Sequence, residues 1–301
     1  IKARCEFSGD RERLVILMIT LSAPCKINLF LHVIGRRADG YHDLQTVFQI
    51  LDFADRVHIE RCDEIKVADM PGVKGEDNLV YRAAALIKAH AQQTCLLKDQ
   101  MLGARITIDK QIPMGAGLGG GSSNAATVMH GLNILWGLGL TTDELSALGL
   151  TLGADVPVFI EGYSAWGEGV GEKLKPIELT KKWFLLVKPE CAISTAEIFS
   201  HPELTRNTSP ITIARFLEGG ARNDCEVIVR KLYPEVDEAL SWLSHRGLAR
   251  MTGTGSCVFI ELGSRKQAQD LQLQLPGTWQ SFVAEGLNSS PLLNELTKAA
   301  G

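Results

Sequence analysis

The chain has 301 residues, enough for one large or two medium domains, and its composition, 45% hydrophobic and 22% charged, is that of an ordinary globular protein. A formal net charge of −4 with no Lys/Arg-rich tract argues against a nucleic-acid partner. The longest apolar run, Leu14 to Leu21, falls far short of the roughly 20 residues that span a bilayer, so no membrane partner is expected.

Arg11 and Arg13 give that run a faint likeness to a signal peptide. No small-residue cleavage site follows, and Pro24-Cys25-Lys26 comes at once, so it reads as the start of the first strand. Met18 stands just ahead of Thr20-Leu21-Ser22-Ala23-Pro24, so residues 1–17 read as an upstream extension outside the fold. Lys26 to Val33 is a strand with Ile27, Leu29, Leu31 and Val33 on its core face. Lys26 and Asn28 then stand side by side on the other face. After a charged turn at Gly35–Gly40, Leu44–Leu51 and Arg56–Glu60 read as further strands of an antiparallel sheet. A helix runs from Asn78 to about Gln93, apolar at Leu79, Ala83, Leu86 and Ile87, and Ala104–Lys110 is a strand. Ser122 is placed to cap the helix that follows. Thr141-Thr142-Asp143-Glu144 has capping-box spacing and opens another helix closed by Gly153, and Val156–Ile160 reads as a strand with Pro157 at its edge or start.

After Gly171 the texture changes. Trp183–Lys188 is a buried-type strand, and Ser194-Thr195-Ala196-Glu197 is a second capping box. Helices are expected near 211–218, 223–232, 235–246 and 264–275. A pair of strands is interrupted by Gly253-Thr254-Gly255-Ser256, and a last strand covers Ser281–Glu285. The result is an α+β chain of two domains, 18–176 and 177–301, without internal repeats. Its seven cysteines form no C-x-x-C pair and no His/Cys cluster, so neither a zinc site nor a disulfide framework is implied, and an odd number of scattered thiols fits a reducing cytoplasm. No metal-binding set of protein side chains is expected.

Pro113-Met114-Gly115-Ala116-Gly117-Leu118-Gly119-Gly120-Gly121-Ser122-Ser123-Asn124 carries the most chemistry. Glycines let successive N–H groups turn toward one point, and a helix N-terminus adds positive potential there. That geometry binds an anion, usually phosphate; a flexible linker would not be framed by a strand and a well-formed helix. A P-loop needs Gly-Lys-Ser/Thr at its end, whereas Ser122 follows Gly121 here. Gly115, Gly117 and Gly120 satisfy the dinucleotide G-x-G-x-x-G, but Pro113-Met114 separates them from the strand and no acidic residue closes a second strand about 20 residues on.

Three separated segments, Pro24-Cys25-Lys26-Ile27-Asn28, the Pro113–Asn124 loop and Thr252-Gly253-Thr254-Gly255-Ser256, resemble the motifs of the GHMP small-molecule kinases. Arg37-Ala38-Asp39-Gly40-Tyr41-His42, Leu44-Gln45-Thr46, Glu76-Asp77-Asn78-Leu79, Gly153–Phe159 and Gly167–Glu172 narrow the resemblance to the branch acting on a cytidine-diphosphate-linked methylerythritol. The match covers about Ser22 to Leu292; Cys25 replaces the alanine of the first motif, and residues 1–17 have no counterpart. The resemblance implies a ribosomal-S5-like N-terminal domain, a ferredoxin-like C-terminal domain, and ATP with Mg²⁺ in the cleft between them.

It also implies roles. Pro113, Met114, Gly115, Ala116, Gly117, Leu118, Gly119, Gly120, Gly121, Ser122 and Ser123 hold the nucleotide phosphates, with Asn78 near adenosine. Asp155 is the candidate base, and Lys26 is the cation beside it; such a cation stabilises the charged carboxylate. Asn28 supports Lys26. Tyr41 and Phe199 flank a pyrimidine with His42 beside it, and Lys110 lies near the substrate diphosphate. Ser122 is the one protein ligand considered for a magnesium ion that otherwise keeps to nucleotide oxygens and water. The second glycine loop supports the first. Another GHMP kinase with a smaller hydroxyl substrate, or a non-catalytic nucleotide-binding protein, stays open as an alternative. Tyr41, His42 and Phe199 speak against the former, and Lys26 with Asp155 against the latter.

Overall fold

The computed structural model describes residues 2–8, 11–69, 75–94 and 102–300, excepting the side chains of residues 2–17, Glu76 and Ala300. β1 (Lys2–Ser8) turns back onto β2 (Arg11–Arg36), with Ser8 opposite Arg11 and Ala3 opposite Ile16. The main chain of the expected extension thus prolongs the sheet as a hairpin. β3 (His42–Cys62) pairs with β2 from Arg36↔His42 to Met18↔Glu60. The two strands expected at 44–51 and 56–60 are this single strand: the polar Asp52–Asp55 stretch reads as a break, yet Ala54 and Asp55 still face Pro24 and Ala23.

β4 (Ile65–Val67) runs parallel to β5 (Gly103–Asp109), which pairs with β3. Helices cover this sheet. α1 (Leu79–Gln93) begins where Asn78 Oδ1 accepts the Val80 N–H at 3.0 Å, and it buries Val80, Ala83, Ala84, Ile87 and Ala91. α2 (Gly120–Trp136) is almost wholly buried, and α3 (Thr142–Leu150) opens with the full Thr141/Glu144 capping box. Val156–Glu161 is a helix, α4, where a strand was expected. A five-residue apolar run carries no period that separates helix from strand, and Pro157 sits in the first turn, where its missing N–H costs nothing. β6 (Ala165–Gly169) pairs with β3 and with β7 (Lys173–Pro176).

The second half contains β8 (Trp183–Lys188), α5 (Thr195–Ser200), α6 (Ile213–Leu217), α7 (Glu226–Leu232), α8 (Pro234–Ser244), β9 (Ala249–Met251), β10 (Val258–Leu262), α9 (Arg265–Gln272) and β11 (Gln280–Leu287). β10 pairs with β8 and β9, and β11 with β8; all are antiparallel. β11 then pairs Gly286 and Leu287 with Leu51 and Ile50 of β3, joining the sheets of the two halves. α10 (Pro291–Ala300), not anticipated from sequence, returns to the first half and buries Leu292 and Ala299 in its core.

A third cluster, between the cores of the two halves, carries the site. Ile27, Leu29, Phe30, Val47, Leu51, Phe184 and Phe259 pack there with Ile112, Ala116 and Leu118. Each fully buried phenylalanine contributes roughly 1.5–3 kcal/mol of burial. Leu31 and Val33 were expected on the Ile27 face. A bulge between Asn28 and Leu31 shifts the alternation, and they join the core of the second half instead.

Burial holds the imidazoles of His32, His42 and His130 below the ordinary histidine range. Such groups are neutral when folded and take up a proton on unfolding, so the unfolded state binds more protons below about pH 6.5. The stability they contribute is present above that pH and is lost as the pH falls. Asp52 and Glu226, whose carboxyls burial raises, act in the opposite sense in the more acidic carboxyl range. The melting temperature is therefore expected to fall between pH 7.5 and 6; a flat or rising profile would contradict the three buried neutral imidazoles.

Candidate active site

The glycine loop is an alternation with a purpose. Gly115, Gly117 and Gly119 have φ of +66°, +72° and +71°, while Ala116 and Leu118 between them are pegs buried in the central cluster. Helix α2 starts at Gly120, with Gly119 as its N-cap and no side-chain cap. Ser122 lies inside the helix and is not the cap, because the left-handed Gly119 turns the chain into helix before a serine is reached. The first helical bond runs from the Ser123 N–H to the Gly119 carbonyl at 2.9 Å, so the N–H groups of Gly120, Gly121 and Ser122 are left for a ligand.

Against this loop packs the second one. Cys257 N–H donates to the Ala116 carbonyl at 3.2 Å, and Thr252 Oγ1 donates to the Gly117 carbonyl at 3.3 Å while accepting the Asn28 N–H at 2.9 Å. Asn223 Nδ2 in turn holds the carbonyls of Met251 and Gly253 at 2.9 and 2.7 Å.

Lys26 stands in the angle between the loops, only 3% exposed. Its ammonium has three protons and three partners: Asn28 Oδ1 at 2.7 Å, the Gly117 carbonyl at 3.2 Å and Asp155 Oδ2 at 3.2 Å. Asn28 Nδ2 donates to Thr46 Oγ1 at 3.0 Å, and Thr46 donates onward to the Phe30 carbonyl, so the amide is held with its oxygen toward Lys26. Asp155 caps α4 by position yet makes no capping hydrogen bond. One of its oxygens is taken by Lys26, and Oδ1 has no partner among the described residues. The carboxylate is 35% exposed, on a helix whose residues Val156 to Ile160 are all buried, and so is both fixed and accessible.

Lys26, Asn28, Gly117, Gly119, Ser122 and Asp155 line one end of a cleft of about 710 Å³, a volume suited to a small-molecule ligand. Tyr41, His42 and Phe199 line the other end. His42 and Phe199 stack with centroids 5.2 Å apart and planes 27° apart, whereas Tyr41, 62% exposed at the turn, has no ring partner among the described residues.

Five expected residues lie elsewhere. Lys110 does not reach the cleft; its ammonium pairs with Asp55, a fully buried carboxylate that also accepts the N–H groups of Gln111 and Ile112 at 2.7 and 2.8 Å. A buried charge requires a partner, and Asp55 draws Lys110 to the far side of the α2 N-terminus, where a β-carbon on Gly120 would lie 2.9 Å from its Nζ. Asn78 does not line the cleft and is occupied in capping α1. Pro113 and Met114 border a separate groove with Lys110 and Phe282, and Ser123 is fully buried. The Cys25 thiol is buried among apolar residues and pushed up by burial, so it packs and does not react. Sequence reading missed the part played by Thr46, Thr252, Asp55 and Arg206.

The descriptions GHMP kinases N terminal domain and GHMP kinases C terminal match residues 78–163 and 203–280. The chain belongs to the GHMP kinases and is an ATP-dependent small-molecule kinase built from these two domains. A 4-diphosphocytidyl-2-C-methyl-D-erythritol kinase of Hahella chejuensis is 50% identical over 92% of this chain and 96% of its own length. One of Alkalilimnicola ehrlichii is 53% identical over 91% and 93%. A crystal structure of 4-(cytidine 5'-diphospho)-2C-methyl-D-erythritol kinase superposes with TM-score 0.73 at 33% identity, covering 89% of this chain and 99% of that one. Within the GHMP kinases the chain thus belongs to the 4-diphosphocytidyl-2-C-methyl-D-erythritol kinase family. The mevalonate kinase of Methanococcus jannaschii, at 18% identity and TM-score 0.65, shares the fold.

Proposed function

We infer that the protein transfers the γ-phosphoryl group of ATP to the 2-hydroxyl of 4-diphosphocytidyl-2-C-methyl-D-erythritol, a step of non-mevalonate isoprenoid precursor synthesis. The observation that carries this reading is one cleft with a phosphate loop and the Lys26–Asp155 pair at one end and Tyr41, His42 and Phe199 at the other. The ATP phosphates lie against the free N–H groups at the start of α2. The acceptor hydroxyl sits between the γ-phosphate and Asp155 Oδ1. As the new O–P bond forms and the bond to the β-phosphate oxygen breaks, the hydroxyl proton passes to Asp155 and ADP leaves. Lys26, with all three protons engaged, fixes Asp155 and contributes its charge, and Asn28 and Thr46 fix Lys26.

Mg²⁺ bound with ATP would neutralise charge on the transferred group. Such an ion keeps mostly to nucleotide oxygens and water, with few protein ligands. Ser122, which lines the cleft at the start of α2, is the residue that would hold it. Seven scattered cysteines without a C-x-x-C pair fit work in a reducing compartment such as the cytoplasm.

The test is substrate identity. Cytidine diphosphate should compete with the acceptor, and homoserine and mevalonate should be poor substrates. Tyr41→Ala and Phe199→Ala should each raise KM for the cytidine substrate about tenfold, within the roughly 1–3 kcal/mol that stacking on a base contributes, with KM for ATP little changed. Efficient turnover of homoserine, without inhibition by cytidine diphosphate, would leave only the general kinase assignment standing.

A further inference from the structure

Arg206 lies in the irregular segment between α5 and α6, within no motif, and among the described residues it pairs with no carboxylate. Its guanidinium nevertheless spends four hydrogen bonds at the mouth of the cleft. Nη2 donates to the carbonyls of Phe199 and His201, both at 2.8 Å, and Nη1 to that of Leu204 at 3.1 Å. Nε donates to His42 Nε2 at 3.0 Å. A single side chain thus ties the segment carrying Phe199 to the first residue of β3.

The last of these bonds has a chemical consequence. A guanidinium only donates and does not lose its proton in proteins, so the atom it meets must offer a lone pair. His42 Nε2 is therefore unprotonated, and in the neutral ring the proton is on Nδ1. Burial, Arg206 and Arg36 all hold His42 below the ordinary histidine range, which keeps the ring neutral. Nδ1 has no hydrogen-bond partner among the described residues and is not among the buried atoms lacking one, and the ring lines the cleft.

We propose that Arg206 is a positioning residue for base selection: by donating to His42 Nε2 it makes Nδ1–H a fixed donor, aimed at a ring acceptor that cytosine carries and uracil lacks. Cytosine presents its ring N3 as an acceptor, whereas uracil carries a proton there and would set N–H against N–H. This rests on the cytidine pocket proposed above, and it adds a source of discrimination that stacking on Tyr41 and Phe199 cannot supply, since every base has a π face. The bonds from Arg206 to the end of α5 would make it a helix-terminus brace as well, a role that predicts no preference between pyrimidines.

Three readouts separate these possibilities. In the unaltered protein, ¹⁵N spectra of labelled histidine should give His42 a pyridine-type Nε2 and a pyrrole-type Nδ1, and cytidine diphosphate should inhibit at least tenfold better than uridine diphosphate. In Arg206→Met, KM for the cytidine substrate should rise about tenfold, the scale of one hydrogen bond, with KM for ATP within twofold. The preference for cytidine diphosphate over uridine diphosphate should shrink to about threefold or less, and a protonated Nε2 should appear in the ¹⁵N spectrum. Arg206→Lys, which keeps one donor for His42 without the planar fork, should retain more of the preference than Arg206→Met. An unaltered protein with a protonated Nε2 overturns the proposal whether or not the variants fold. An Arg206→Met protein that keeps both the preference and the ¹⁵N pattern overturns it too, leaving the brace. Absence of any inhibition of the unaltered protein by cytidine diphosphate would instead fall on the cytidine pocket itself.

Discussion

Asp155→Asn is expected to leave a folded protein that binds ATP normally and transfers phosphate roughly 10²–10⁴-fold more slowly, the usual cost of losing a positioned general base. The side chain is partly exposed, makes no capping bond to its own helix, and stands on a helix held by five buried residues, so an isosteric amide disturbs no packing. What it removes is the carboxylate oxygen beside Lys26 that is proposed to take the hydroxyl proton. Asparagine is the better probe than alanine because Lys26 is buried and keeps its bonds to Asn28 and Gly117, and an amide oxygen can still face it. Alanine would add the cost of a less well-paired buried cation to the cost of the missing base. The measurement is kcat on verified substrate beside ATP affinity by titration. A variant with near-normal kcat would show that the hydroxyl loses its proton elsewhere, and Asp155 would then serve only to place Lys26.

Much of this arrangement is legible in the chain because its signals are local. The glycine run ahead of a helix already marks a backbone anion site, although Ala116 and Leu118, expected there with the phosphates, are buried in the core instead, and Lys26 and Asn28 on one side of a strand already point together. The Thr141 capping box and the Trp183–Lys188 strand fall where local chemistry puts them. The failures are of another kind. Val156–Ile160 has no period to read, and its helix is decided by α2 and α3 packing around it. The continuity of β3 through Asp52–Asp55 depends on a partner strand that supplies pairing where local propensity is weak. Lys110 sits close to the phosphate loop in sequence, but the side of the loop it takes is chosen by Asp55, a buried carboxylate more than fifty positions earlier. Arg206 carries no local signal at all, since its meaning comes from four acceptors that only the folded chain brings within reach.

Gly117→Ala should be the most damaging single-carbon addition to the loop, and Gly115→Ala its matched control. Both positions have φ near +70°, so both substitutions carry the left-handed backbone cost of about 1–2 kcal/mol. The surroundings differ. A β-carbon at Gly115 meets nothing within 4 Å, whereas at Gly117 it would lie 2.6 Å from the Thr252 carbonyl oxygen and 2.8 Å from that of Gly255. Both obstacles are main chain in the second glycine loop, which Asn223 holds by two carbonyls and which cannot swing aside as a flexible side chain would. The loops must part, and the Gly117 carbonyl then leaves Lys26 and Thr252 together. That single shift loosens the ammonium, the carboxylate it fixes and the N–H groups at the start of α2 that are proposed to face the phosphates. Activity in Gly117→Ala is expected to fall at least about 10²-fold, on the scale of misplacing a catalytic constellation by an ångström, with weakened ATP binding. Gly115→Ala should lose stability but keep KM for ATP within a few-fold. If the two variants bind ATP alike, contact between the glycine loops is not what holds the phosphate site in shape, and the free start of α2 must do so alone.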